Sequence, residues 1–116
     1  MKVTRLYTEP DGESHFEDID IPLEDIGVAG RRSELMKATG IIFREMGSEY
    51  NSDWHKASRR QFTITLEGQV EIVAGDGTKR QFGPGDILLA EDTTGRGHIT
   101  RVVNNQPRTA IFVTLD

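Results

Sequence analysis

The chain has no cysteine among its 116 residues, and this absence excludes both disulfide bonds and thiolate metal sites. It also lacks any apolar run approaching the ~20 residues that a membrane-spanning helix needs. Its first residues, Met1 to Arg5, do not form the apolar core of a secretory signal. We therefore expect a cytoplasmic protein with no membrane partner, held together by packing alone.

The chain also has no excess of basic residues. The chain carries 14 lysines and arginines against 19 aspartates and glutamates, which gives a net charge of -5. A protein that binds nucleic acid usually presents a positive field. The only basic pairs, Arg31-Arg32 and Arg59-Arg60, do not belong to longer basic runs. We predict that nucleic acid is not a partner.

Signals for helices are nearly absent, whereas glycine is plentiful, with twelve in the chain. Frequent glycines favour tight turns and therefore short strands. The alternating and apolar runs predict strands at 3–8, 14–21, 38–46, 61–67, 69–74, 79–82, 87–90, 97–103 and 108–115. The strand at 38–46, with its run Ile41-Ile42-Phe43, is predicted to be buried on both faces. Only Ser33 to Lys37 could open a helical turn, and that segment is too short for a firm assignment.

Many short strands at regular spacing indicate an all-β sandwich or barrel. The chain shows no repeat, no low-complexity segment and no linker, so we predict one domain over residues 1–116. Its centre is the stretch from Asp53 to His98. Two of the three histidines, His55 and His98, stand near the ends of this stretch, and a meander of hairpins can bring them together. The third, His15, lies outside any ligand spacing and is predicted to be a surface strand residue, or one that reaches a pocket mouth or a partner subunit.

Two segments carry a resemblance to a known family. Gly47 is followed after five residues by Asp53-Trp54-His55, then by Gln61, then after six residues by Gly68. This order resembles the first motif of the cupin superfamily, and the segment from Gly85 to His98 is similar to its second motif. The resemblance is good over residues 47–116 and only general over residues 1–46.

The resemblance implies a small cupin: a double-stranded β-helix, or jelly-roll, barrel. Residues 1–46 would supply N-terminal strands and a connection, and residues 47–116 the barrel with the motifs. Cupins bind a divalent metal through up to three histidines and a glutamate. In this chain Asp53 stands where the first histidine is usual, Gln61 stands at the glutamate position, and the loop before His98 is longer than usual.

The resemblance therefore implies a metal site formed by His55, His98 and Asp53. Two imidazoles and one carboxylate on one face of the ion is the arrangement of non-haem iron enzymes, and without thiols iron, manganese, nickel or zinc would all be suitable. Gln61 would position a substrate through its amide group. Alternatively, Asp53 only holds His55 by a hydrogen bond, and the polar pocket contains no metal.

The predicted strand 61–67 has two different faces. Gln61, Thr63 and Thr65 share one face, and Phe62, Ile64 and Leu66 share the other. The simple interpretation buries the apolar face and leaves the threonines in water. The resemblance instead turns Gln61 inward, so that Thr63 and Thr65 line a polar cavity. The apolar face then needs a cover, which predicts a homodimer sealed by N-terminal strands.

Asp92 lies in the glycine-containing loop that leads into His98. We predict that it orients His98 or contacts the ligand, and the alternative is ordinary turn chemistry. Arg59 or Arg60 near a polar cavity would favour a small polar or anionic ligand, but both could equally form ion pairs in solvent.

Two functions remain open from the sequence. One is a divalent-metal-dependent enzyme, of the dioxygenase or of the isomerase or lyase type, that acts on a small polar organic molecule. The other is a metal-free binding or sensor module, in which His55 and Gln61 recognise a small ligand.

Overall fold

The computed structural model describes residues 1–116 and consists almost entirely of β-strands. In chain order the strands are β1 (Lys2–Thr8), β2 (Ser14–Asp20), β3 (Glu24–Asp25), β4 (Arg31–Arg32), β5 (Gly40–Met46), β6 (Gln61–Glu67), β7 (Val70–Val73), β8 (Lys79–Phe82), β9 (Ile87–Glu91), β10 (Ile99–Val102) and β11 (Arg108–Thr114). One short 3-10 helix covers Gly27–Ala29. The prediction of an all-β fold is confirmed. No helix has the length and apolarity that a bilayer crossing would require.

The strands form two main sheets. The larger has six strands in the order β2-β1-β9-β6-β11-β5, and the smaller has three in the order β10-β7-β8. Strands β1 and β9 run parallel, and the other neighbours in both sheets are antiparallel. The buried core contains Leu6 and Leu88 from the larger sheet with Val70, Ile72 and Phe82 from the smaller one. This is a two-layer jelly roll with the core between the sheets.

Strand β6 turns its polar face inward. Thr63 and Thr65 are buried, whereas Leu66 on the other face is exposed and Phe62 and Ile64 are only partly covered. The simple interpretation, in which the apolar face enters the core, is wrong. The threonines are accommodated because the interior at this point is polar, and the hydroxyl of Thr65 accepts hydrogen bonds there from Arg108.

Strand β5 does not have the burial that its sequence predicts. Residues from Gly40 to Glu45 are exposed, and only Met46 is buried. The reason is that β5 is an edge strand, which pairs with β11 on one side and with nothing on the other. An apolar run therefore identified the strand correctly but not its place in the sheet.

The connection before β5 has more structure than predicted. Strands β3 and β4 pair only with each other, in a small two-stranded ribbon. The segment from Ser33 to Lys37 contains no helical turn. We call residues 24–38 the arm.

Candidate functional site

A cavity of about 220 Å³ lies between the two sheets. Its lining comes from β5, β6, β9 and β11 of the larger sheet, from β7 and β10 of the smaller sheet, and from two loops. The residues are Arg44, Met46, Tyr50, His55, Lys56, Ala57, Ser58, Gln61, Thr63, Ile72, Leu88, Ala90, His98, Thr100, Arg108 and Phe112. This volume lies below the ~300–1,000 Å³ of pockets that receive drug-sized molecules, so the cavity fits a small metabolite.

His55 and His98 meet at this cavity. Their backbones form an isolated antiparallel bridge, in which the amide of each residue donates to the carbonyl of the other over 2.9 Å. The two imidazole ring centres are 4.5 Å apart. The bridge depends on Gly97, because a Cβ atom there would lie 2.0 Å from the carbonyl oxygen of His55. Gly97 also has φ +80°, a conformation that other residues rarely adopt.

Each imidazole is held through its Nδ1 atom. Nδ1 of His98 donates to Oδ2 of Asp92 over 2.5 Å, and Asp92 is completely buried. Nδ1 of His55 lies 3.0 Å from the main-chain oxygen of Asp53 and 3.2 Å from the hydroxyl of Ser52. Since both rings line the cavity, Nε2 is the nitrogen of each that remains for a ligand. The predicted orienting contact between Asp92 and His98 is present, and it places Asp92 behind the histidine rather than in the cavity lining.

The carboxylate predicted as the third metal ligand lies elsewhere. Asp53 is exposed, is absent from the cavity lining, and accepts a hydrogen bond from the amide of Trp54 over 2.7 Å. It holds His55 through its main-chain oxygen and not through its side chain. The structure contains no cluster of three histidine, cysteine, aspartate or glutamate side chains arranged to hold a metal ion. The residues present therefore do not fit a divalent metal bound by three protein ligands.

Arg108 is the most unusual side chain at the site. Its residue is only 3% exposed, and its guanidinium donates from Nε and Nη2 to the hydroxyl of Thr65, over 3.2 and 2.9 Å. A guanidinium has five N–H donors, so three are left without a protein acceptor. No carboxylate forms an ion pair with it. Burial, and secondarily the like charge of Arg44, lowers the pKa of Arg108 to about 10.

A second arginine stands at the mouth of the cavity. Arg44 is on β5, opposite Ala110 of β11, and is exposed. Its guanidinium carbon lies 5.4 Å from the ring centre of Tyr50 and 5.6 Å from that of Phe112. Lys56 is also in the lining, whereas no aspartate or glutamate is. A protein with a net charge of -5 thus has a cavity whose formal charges are all positive.

The remaining predicted residues divide between cavity and surface. Gln61 and Thr63 line the cavity, and Thr65 lies just behind it, bonded to Arg108. The arginines that sequence reasoning favoured, Arg59 and Arg60, are not in the lining.

Arg60 instead pairs with Glu91 and Asp116. His15 lies on β2, outside the lining, with its Nδ1 3.1 Å from Asp76.

Sequence reasoning missed Arg44 and Arg108. Charged residues in strands are usually on the solvent face, and neither arginine belongs to a motif. One signal was available: Arg108, Ala110 and Phe112 alternate along one strand. The predicted strand 108–115 could have been paired with the predicted strand 61–67, whose threonine face was expected to point inward. That pairing would have placed Arg108 inside the barrel.

Comparison with known proteins agrees with this architecture. The structure is similar to a solved structure titled a Cupin 2 conserved barrel domain protein, from Salinispora arenicola CNS-205, with a TM-score of 0.55. The fold is that of a cupin. The match covers 66% of this chain and 61% of the solved chain, at 20% sequence identity, so this chain spans less than two thirds of that chain's length. A sequence identity this low supports a shared fold and nothing about function.

The expected resemblance to small cupins is confirmed at the level of the barrel. No protein-family model matches the sequence. No curated protein matches it either. The function of this chain therefore has to be inferred from its own cavity.

Proposed function

We propose that this cupin binds a small organic anion, a carboxylate, in the barrel cavity without a metal ion. The buried guanidinium of Arg108 is the observation that carries this proposal. Removing a charge from water is costly unless a partner compensates it, and the protein offers Arg108 only a neutral hydroxyl. A carboxylate would accept two parallel N–H bonds from the guanidinium, which is among the strongest hydrogen-bonded pairs.

The rest of the lining supports a ligand of limited size with a second polar group. At the ~30 Å³ that each water molecule occupies in the liquid, a cavity of about 220 Å³ has the volume of about seven waters. Phe112, Ile72 and Leu88 supply apolar wall for a short carbon chain. The Nε2 atoms of His55 and His98 can bind a hydroxyl or carbonyl oxygen, or a second carboxylate.

Binding to matched ligands tests this proposal. Titration calorimetry would compare a panel of short carboxylates, including lactate, pyruvate and malonate, with the neutral amide lactamide. We expect at least one carboxylate to bind and the amide to bind at least tenfold more weakly than lactate. Equal affinity for lactate and lactamide, or no binding across the panel, would contradict the proposal.

A matched pair of variants locates the binding. Arg108→Met should weaken carboxylate binding at least tenfold, because it removes the charge and keeps much of the stem volume. Arg59→Met removes an arginine that is exposed and outside the lining, and it should leave the affinity unchanged. If both variants bind like the wild type, the anion binds outside the cavity.

The Asp92–His98 pair favours a second candidate function, metal-independent proton transfer. Because Asp92 accepts the Nδ1 proton, a neutral His98 presents Nε2 to the cavity as an acceptor. It could take a proton from a carbon next to a carbonyl of a bound 2-oxo acid. The C–H electron pair would then move onto the carbonyl oxygen as an enolate, beside the arginines.

Deuterium exchange tests this second function. Proton NMR in deuterium oxide would follow loss of the methyl signal of pyruvate, with wild type compared with His98→Gln and Asp92→Asn. We expect the wild type to accelerate exchange and both variants to be slower. If pyruvate binds but its methyl exchange is not accelerated, the protein is a binding module and does not catalyse this proton transfer on pyruvate.

A further inference from the structure

The arginines in the strands of the two main sheets differ in whether they have an acidic partner. Arg5, Arg80 and Arg101 each form an ion pair with an aspartate or a glutamate. Arg44 and Arg108 form none, and they are the two that line the cavity. Unneutralised strand arginines are therefore confined to the cavity.

The two cavity arginines are neighbours on one face of the larger sheet. Arg44 stands opposite Ala110 in the register of β5 and β11, and Arg108 stands opposite Met46. Arg44 and Arg108 are thus diagonal neighbours, a relation that separates residues by ~7–8 Å and leaves long side chains within reach of each other. The charge of Arg44 adds to burial in lowering the pKa of Arg108. Each charge makes the other less favourable unless an anion lies between them.

Aromatic rings hold Arg44 at the mouth of the cavity. Its guanidinium carbon lies 5.4 Å from the ring centre of Tyr50 and 5.6 Å from that of Phe112, and both residues line the cavity. A guanidinium at such distances is attracted to the ring faces. Arg44 is therefore kept beside the cavity although its residue is exposed.

We propose that the ligand is a short dicarboxylate, with one carboxylate on Arg108 inside the cavity and the other on Arg44 at its mouth. This inference rests on the proposed binding of a carboxylate and adds a second charge to that ligand. Each guanidinium can pair with a carboxylate through two parallel N–H bonds. The apolar side chains of Ile72, Leu88 and Phe112 would flank the carbon chain between the two carboxylates.

Cavity size and the depths of the arginines define the ligand further. A volume of about 220 Å³ corresponds to a diacid of about three or four carbons, such as malonate or succinate, at ~30 Å³ for each water-sized group. A phosphate group also carries two charges, but it carries them on one centre. Because Arg108 is buried and Arg44 is exposed, two separated carboxylates match these positions better than one phosphate.

Diacids and their half-amides provide the test in the wild-type protein. Titration calorimetry at pH 8, where both carboxylates are ionised, would compare malonate with malonamate and succinate with succinamate. Each amide keeps the shape of its diacid and lacks one charge. We expect at least one diacid to bind about tenfold more tightly than its half-amide, because only the diacid can satisfy both guanidiniums.

The outcomes for this inference and for the proposed function are distinguishable. If lactate and the half-amides bind as tightly as the diacids, carboxylate binding stands and the dicarboxylate inference is wrong. If neither lactate nor any diacid binds, both are wrong. If inorganic phosphate binds as tightly as malonate, the two charges are recognised at one point, and the assignment of two separate carboxylates is wrong.

Variants assign the second carboxylate to its arginine. Arg44→Met should reduce the preference for the diacid from about tenfold to less than threefold and change half-amide binding little. Arg44→Lys should keep part of the preference, since lysine binds a carboxylate as a point charge. Arg59→Met removes the same charge from an exposed residue outside the lining and should leave the preference unchanged. Circular dichroism would establish that each variant is folded.

Two results with the variants would overturn the assignment. A preference that falls as much in Arg59→Met as in Arg44→Met would mean that the diacid responds only to the general positive charge near the cavity. A preference that is lost in Lys56→Met and kept in Arg44→Met would place the second carboxylate on Lys56, the other cation of the lining.

Discussion

A buried guanidinium without a carboxylate is an energetic cost that the protein bears at Arg108. Burial lowers the pKa of its guanidinium from the ordinary arginine value to about 10, and each pKa unit corresponds to about 1.4 kcal/mol. The cost of keeping it charged is thus up to about 3 kcal/mol. We expect Arg108→Met to raise the free energy of unfolding at pH 7 by about 1–2 kcal/mol, since the lost bonds to Thr65 offset part of the gain. Urea denaturation in a buffer without carboxylates or phosphate measures this difference.

The pH dependence of the same variant has a definite sign. The folded-state pKa of Arg108 is depressed, so the unfolded chain holds this proton more tightly. Wild-type stability should therefore rise relative to Arg108→Met as the pH passes upward through about 10. Comparing the two proteins at pH 9 and pH 11 tests this. If Arg108→Met is less stable than the wild type at both values, the guanidinium already has a partner in the folded protein.

Individual residues were predictable where a motif fixed them. The ends of the meander predicted that His55 and His98 meet, and the loop before His98 predicted its contact with Asp92. Arg108 and Arg44 were missed because alternation along a strand reveals two faces without telling which one is inside. Asp53 is the opposite case: two-residue spacing from His55 suggested a shared direction, but the segment 52–54 belongs to no strand, and its backbone turns the carboxylate to Trp54.

At the scale of elements, Glu91 connects three parts of the larger sheet. Arg5 of β1 donates from Nε to Oε1 over 2.5 Å, and Arg60, just before β6, donates from Nε to Oε2 over 2.6 Å. Burial alone would raise the pKa of Glu91, but the hydrogen bonds from Arg5 and Arg60 outweigh it and lower the pKa below its usual 4.5. The carboxylate therefore stabilises the end of β9 against its neighbours.

We expect Glu91→Gln to lower the free energy of unfolding by about 1 kcal/mol at pH 7, a modest value because solvent reaches both arginines. The carboxylate contributes fully above its ordinary pKa of 4.5, and its contribution is lost as the pH falls through the depressed value. The difference between wild type and variant should thus disappear in acid. Glu67→Gln, at an exposed position without an ion pair, is the control that should change little. If the free energies of unfolding of wild type and Glu91→Gln still differ at pH 2, the effect comes from packing and not from the charge of Glu91.

Strands with clear alternation were predicted closely, and β6 and β8 have the predicted bounds. The predicted burial of β5 on both faces was wrong, because an apolar run is compatible with a central strand and equally with an exposed edge strand. The ribbon in the arm was missed because two-residue strands have no periodicity to detect. Pairing between distant segments is the information that a single sequence does not contain.

At the scale of the whole molecule, the homodimer predicted from the sequence would make stability depend on concentration. Association of folded chains favours the folded state by mass action, so the melting temperature should rise with protein concentration. Differential scanning calorimetry from 5 to 500 µM would measure this. The melting temperature of Phe43→Ser should vary much less over the same range. A wild-type melting temperature that is constant throughout would contradict the predicted homodimer.

Gly97 has a consequence for tracing the ancestry of this protein. A Cβ atom at position 97 would collide with the main chain at His55, so any substitution must dismantle the bridge that brings the two histidines together. Selection can change the histidines and arginines when a new ligand is adopted, but it cannot change this glycine while the bridge persists. Among relatives of this chain, we expect the glycine to outlast the chemistry. It is therefore a better marker of common descent than the residues that face the ligand.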